Sequence, residues 1–84
     1  MYVEFLGIPR ERAGVSEVEI EATTLGQALG SLAIRFPALG ELITAGALDR
    51  SIAANLNGDV FVSDPQTLLA ADDRLLLLSA DVGG

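Results

Sequence analysis

Hydrophobic and polar positions alternate with a period of two in several stretches of this chain, and with helical spacing in one. Tyr2 to Leu6 sets Val3 and Phe5 on one face of a strand and Tyr2, Glu4 and Leu6 on the other. Val18, Ile20 and Ala22 then alternate with Glu17, Glu19 and Glu21, one face for a core and one for water. The residues between, Gly7 to Gly14, carry Pro9, Arg10, Glu11 and Arg12 and read as a loop, so the two strands are expected to pair as an antiparallel hairpin.

Helical spacing begins at Thr24-Leu-Gly-Gln27, which has the form of a capping box. Leu25, Leu29, Leu32 and Phe36 follow at steps of four, three and four, a single stripe that faces a sheet, and Pro37 ends the helix. Gly26 and Gly30 weaken it by up to about 1 kcal/mol each relative to alanine, unless they allow close packing. Leu39 to Ala47 is expected to hold a further helical turn. Ser51 to Leu56 is a third strand, Asn57-Gly58 a hairpin signal and Asp59 to Val62 the return strand. Ser63-Asp64-Pro65 is turn chemistry, Leu68 and Leu69 are expected in the core, and Asp72-Asp73 turns the chain toward its last strand.

That last strand dominates the pattern. Leu75 to Leu78 are four consecutive leucines, which cannot alternate between core and water, so the strand is expected in mid-sheet with both faces covered. The predicted order is β-β-α-β-β-β, an α+β fold in which a single helix crosses the sheet.

Composition narrows the class. At 84 residues the chain is read as one domain, able to bury roughly 60 to 65% of its unfolded surface. There is no cysteine, hence no disulfide or thiolate site, and no histidine. The net charge of −7 disfavours nucleic acid and anionic membranes and favours a partner with a basic surface. No apolar stretch approaches the ~20 residues of a membrane span, and Met1 leads straight into a strand pattern rather than a signal peptide, so a cytoplasmic location is expected.

The candidate chemistry lies at the end of the sequence. After a polar step, Ser79-Ala-Asp81, Val82 is the last side chain and the chain closes on Gly83-Gly84. With glycine at roughly 7% of residues, such a pair falls at a chain end about once in 200 proteins. A frayed terminus explains it; so does a carboxylate captured in a partner's narrow channel. No histidine, cysteine or acid–base pair equips the rest of the chain for catalysis. Asp72-Asp73 is read as a turn rather than a metal site, and Arg10 and Arg12 as solvated loop charges. All five cationic residues are arginines; the lack of lysine either spares an activated terminus from self-acylation or reflects composition alone.

Taken together, the opening strand ending in Phe5-Leu6, Arg10-Glu11 and Ala13-Gly14, the helix closing on Phe36-Pro37, the Asn57-Gly58 hairpin, the Asp73-led last strand and terminal Gly83-Gly84 resemble the MoaD/ThiS family of ubiquitin-like sulfur carriers along the whole chain. The longer segment between Phe36 and Ser51 is most similar to the MoaD branch, the small subunits of molybdopterin synthase. Asp72-Asp73, where the family usually has glycine-aspartate, and Ser79-Ala-Asp81, where prolines are common, depart from its pattern.

The resemblance implies a β-grasp with a mixed sheet of four to five strands on one main helix. It implies a carrier rather than an enzyme, with no bound cofactor. Gly84 would be adenylated by an ATP-consuming adenylyltransferase of the MoeB/ThiF type and converted to a thiocarboxylate. Asp81, Val82 and Gly83 would thread into that partner. A large synthase subunit of the MoaE type would dock on the sheet face away from the helix, through Leu6, Val60 and Leu78, and the sulfur would go to molybdopterin. Other acceptors (thiazole, tRNA, cysteine), a protein-modifier role and a non-covalent interaction module are the alternatives.

Overall fold

The computed structural model describes residues 1–80. Its elements are β1 (Tyr2–Phe5), α1 (Ile8–Ala13), β2 (Glu17–Glu19), α2 (Leu25–Arg35), α3 (Pro37–Gly40), β3 (Ile43–Thr44), β4 (Ala47–Leu48), β5 (Ile52–Leu56), β6 (Val60–Val62) and β7 (Arg74–Ser79). Five strands form one mixed sheet in the order β2-β1-β7-β5-β6, and β3 with β4 makes a separate two-stranded ribbon. β7 runs parallel to β1 and antiparallel to β5, so the last strand is central. With α2 on one face, this is the β-grasp expected from the sequence.

The core forms where α2 meets the sheet. Leu25, Leu29 and Leu32 are fully buried against Val3, Leu75 and Leu77, which are fully buried too. Half-buried Phe36 closes the stripe by setting its ring edge-on to Phe5, 5.7 Å between centroids. At the helix start the Thr24 hydroxyl accepts from the Gln27 N–H at 3.2 Å. The reciprocal bond of the capping box is displaced by one residue, because Gln27 Oε1 accepts from the Thr23 N–H at 3.0 Å. Gly26 has a packing reason, since a Cβ there would come within 3.2 Å of Pro65; Gly30 faces open space and has none.

Several expectations are corrected. Gly7 to Gly14 is not a loop: it holds α1, started with Pro9 in its first turn and closed by Gly14 in the left-handed region at φ 78°. At six residues this helix is too short to show a period. The helix therefore does not cross the sheet alone. Pro37 ends α2 and also opens α3, and the rest of the Leu39 to Ala47 segment is the β3–β4 ribbon instead of helix. Leu69 is buried, but Leu68 is 79% exposed. An extended bridge between Leu68 and Thr24 forces consecutive side chains to opposite sides, so only one of the two leucines reaches the core. The leucine run does alternate after all: Leu75 and Leu77 are buried under α2, while Leu76 and Leu78 are half-covered on a face that no helix packs.

Candidate functional site: the end of the central strand

The site is built by the parallel pairing of β1 and β7. Partners run from Tyr2 with Arg74 to Phe5 with Leu77, and the Leu6 N–H donates to the Leu77 carbonyl at 2.9 Å, one step past the end of β1. Both strands finish at the same end of the sheet. The chain therefore leaves β7 beside Leu6, which is 50% exposed.

The exit is held from two sides. Toward β5, the Ala80 N–H donates to the Ser51 carbonyl at 2.8 Å. Ser51 is itself fixed by the Asp49 carboxylate, which accepts from its hydroxyl at 2.6 Å and its N–H at 2.9 Å. The Ser51 hydroxyl, then its N–H, hold the Asp49 carboxyl below its ordinary value, with the charge of Arg50 adding to a net effect that desolvation opposes. Toward β1, Ser79 Oγ accepts from the Ile8 N–H at 2.8 Å at the start of α1. Gly7, at φ 69°, lies against that hydroxyl, and a Cβ there would collide with it.

The sheet face away from α2 changes character along its length. At one end Arg74 lies over the Tyr2 ring at 5.1 Å and reaches Glu4 at 3.4 Å and Glu17 at 3.9 Å, a polar network. At the exit end stand Leu6, Leu78 and Ala53, the last paired with Leu78. Leu6 and Leu78 thus share the outward face as expected.

Val60 does not. It pairs with Leu56, and the registers β6 to β5 to β7 put both on the helix side with Leu75. Although 51% exposed, Val60 belongs to the opposite face from Leu6. Phe61, 65% exposed and paired with Asn55, takes the outward position, on the same face as Leu76 across β5. The expected hairpin, with Asn57 at φ 58° and Gly58 at φ 72°, carries the signal for this: the paired positions count outward from the turn, and Leu56–Val60 is the first pair.

Gly84, Gly83, Val82 and Asp81 lie outside the described residues. Among the other singled-out groups, Arg12 is not a free loop charge: it donates to the Ala38 carbonyl at 2.9 Å and meets Glu41 at 2.9 Å, tying α1 to α3. Asp73 makes the expected turn, accepting from the Ala70 N–H at 2.7 Å and from Asn57 Nδ2 at 3.0 Å. Among the described residues no cluster of His, Cys, Asp or Glu could hold a metal ion, and no helix is long and apolar enough to cross a membrane.

The profile of the ThiS family matches residues 3–84. The chain belongs to that family. It is thereby a ubiquitin-like sulfur carrier protein, of the kind that includes ThiS and MoaD. No curated protein sequence matched it.

Solved structures give the same architecture to this ThiS-family chain. The small archaeal modifier protein 1 of Methanosarcina acetivorans superposes with a TM-score of 0.80 at 26% identity, covering 99% of this chain and 94% of that one. A chain of the Amycolatopsis orientalis BexX/CysO complex gives 0.78 at 24% identity, covering 99% and 98%. A putative molybdopterin converting factor subunit 1 of Pyrococcus furiosus gives 0.77 at 22%, covering 93% of each. The last two speak to the fold.

Proposed function

We propose that this chain carries sulfur on Gly84 for molybdopterin biosynthesis. The observation that carries the reading is the exit geometry: the central strand ends at Ser79, followed by Ala80, beside an apolar patch formed by Leu6 and Leu78. Four residues follow Ala80, and at about 3.3 to 3.6 Å each they reach at most roughly 14 Å. A partner that takes the terminal carboxylate into its active site must therefore sit against the surface around the exit, where the patch is.

The chemistry fits such a terminus. A carboxylate is a poor electrophile. One of its oxygens attacks the α-phosphorus of ATP in the adenylyltransferase, pyrophosphate leaves, and the acyl adenylate forms. Sulfur at the oxidation level of hydrosulfide then displaces AMP and gives the thiocarboxylate. Glycine offers no branch to obstruct either nucleophile. ATP belongs to the activating partner; the carrier is a co-substrate that docks next on a large synthase subunit.

The likeness to a putative molybdopterin converting factor subunit 1 supports this acceptor. A second reading, attachment to other proteins, is favoured by the likeness to a small archaeal modifier protein. The test is to prepare the thiocarboxylated chain and incubate it with a large synthase subunit and the sulfur-free pterin precursor, and in parallel with cell lysate and ATP. Return of the chain to carboxylate with formation of the dithiolene supports the molybdopterin reading. Isopeptide adducts on lysines of other proteins, with no transfer to the pterin, replace it with the modifier reading.

A further inference from the structure

Ser79 ends a strand of leucines with its side chain turned inward and only 9% exposed. A buried hydroxyl is costly unless it is bonded, and an apolar residue would serve the core at least as well. Its bond is informative: Ser79 Oγ takes the N–H of Ile8 at 2.8 Å, one of the donors left open at the start of α1. Gly7 makes room for the contact, because a side chain there would displace the hydroxyl. On the other side of the same strand end, Ala80 is bonded to Ser51. These two bonds, on consecutive residues, hold the end of β7 from both sides.

We infer that Ser79 is a positioning residue for the terminal carboxylate, fixing through its bond to Ile8 the point and direction in which the tail leaves the sheet. The inference rests on the carrier reading above. With a tail this short, the place and angle of Ala80 decide how often Gly84 reaches the reacting phosphate, and misplacement of about 1 Å is enough to cost up to ~100-fold in rate. Docking through Leu6 and Leu78 does not use the Ser79 hydroxyl, which points away from that face. Positioning and docking are therefore separable.

The experiment measures ATP-dependent adenylation of the full chain by a cognate adenylyltransferase, for wild type, Ser79→Ala and Ser79→Thr, with the Kd for the same enzyme measured by titration. The Ile8 N–H is only partly buried, so water replaces the hydroxyl in the alanine variant and the fold survives. Ser79→Ala is expected to keep its Kd within two-fold and to lose at least about five-fold in the rate at saturating carrier. Ser79→Thr, which keeps the hydroxyl, recovers most of that rate. Amide hydrogen exchange should show faster exchange at Ile8 and Ala80 in the alanine variant while Leu77 stays protected. An alanine variant that is adenylated at the wild-type rate, or that loses only affinity, overturns the inference. Failure of the wild type itself to be adenylated overturns the carrier reading, and the inference with it, and is distinguished by the wild-type arm alone.

Discussion

The Leu6 N–H donates to the Leu77 carbonyl at 2.9 Å, which carries the parallel register past β1 and sets Leu6 beside Leu78 at the end where the chain leaves the sheet. Under the proposed function these two apolar side chains are the anchor for a partner. Replacing Leu6 or Leu78 by aspartate should weaken docking to a large synthase subunit by at least about 1 to 2 kcal/mol, since buried anchors dominate interface energies. Isothermal titration of the folded variants checks this. Unchanged affinity removes this face from the account.

The register makes a sharper comparison within β6. Phe61 faces outward with Leu76, whereas Val60 faces the helix side. Phe61→Ser should weaken docking in the same titration and Val60→Ser should not, although both are exposed. The reverse pattern would mean that the partner binds the other face of the sheet.

In the core, Leu29 and Leu32 are fully buried under the sheet. Either one changed to alanine should cost about 2 to 5 kcal/mol of stability in urea unfolding, from lost burial and the cavity left behind. Leu68→Ala, at an exposed position, should cost no more than about 0.5 kcal/mol. Equal losses at Leu29 and Leu68 would contradict the assignment of faces.

What could be read from the sequence was whatever rests on period and local turn chemistry. The stripe Leu25, Leu29, Leu32, Phe36, the Glu-alternating strand and the Asn57-Gly58 turn each state their own geometry. The face of Val60 depends on pairing across two strand neighbours, and parity propagates over the sheet only once registers are known. The four leucines misled for a related reason. A run without polar residues signals two covered faces, but here the second face is only half-covered, with Leu76 and Leu78 left outside the core. Ser79 reads in sequence as part of a polar step, but β7 runs on to include it, and two positions past buried Leu77 its side chain faces inward. Helix α1 was hidden because six residues carry no period, although Pro9 and Gly14 mark its two ends.

Asp73 supplies a pH dependence. The Ala70 N–H, and then the Asn57 side chain, hold its carboxyl below the ordinary value of 3.8. A carboxyl with a lowered folded pKa stabilises the fold fully above 3.8 and loses that contribution as pH falls through its folded value, because the unfolded chain takes up the proton first. Asp73→Ala should therefore be less stable than wild type at neutral pH, and the gap should close on acidification below 3.8. Urea midpoints of both proteins across that range test it; a gap that widens toward acid contradicts the assignment.

The most direct test of the carrier account concerns the position of the terminal carboxylate. One alanine added after Gly84 moves that group by roughly 3.5 Å without touching the Leu6 and Leu78 patch or the core. Wild type, the extended chain and a chain lacking Gly84 are incubated with ATP, a cognate adenylyltransferase and a sulfur donor, and followed by intact-protein mass spectrometry. The account predicts conversion of the wild-type terminus to adenylate and then thiocarboxylate, at least ~100-fold slower conversion of both altered chains, and equal stability of all three. Conversion of the extended or shortened chain at the wild-type rate would contradict it.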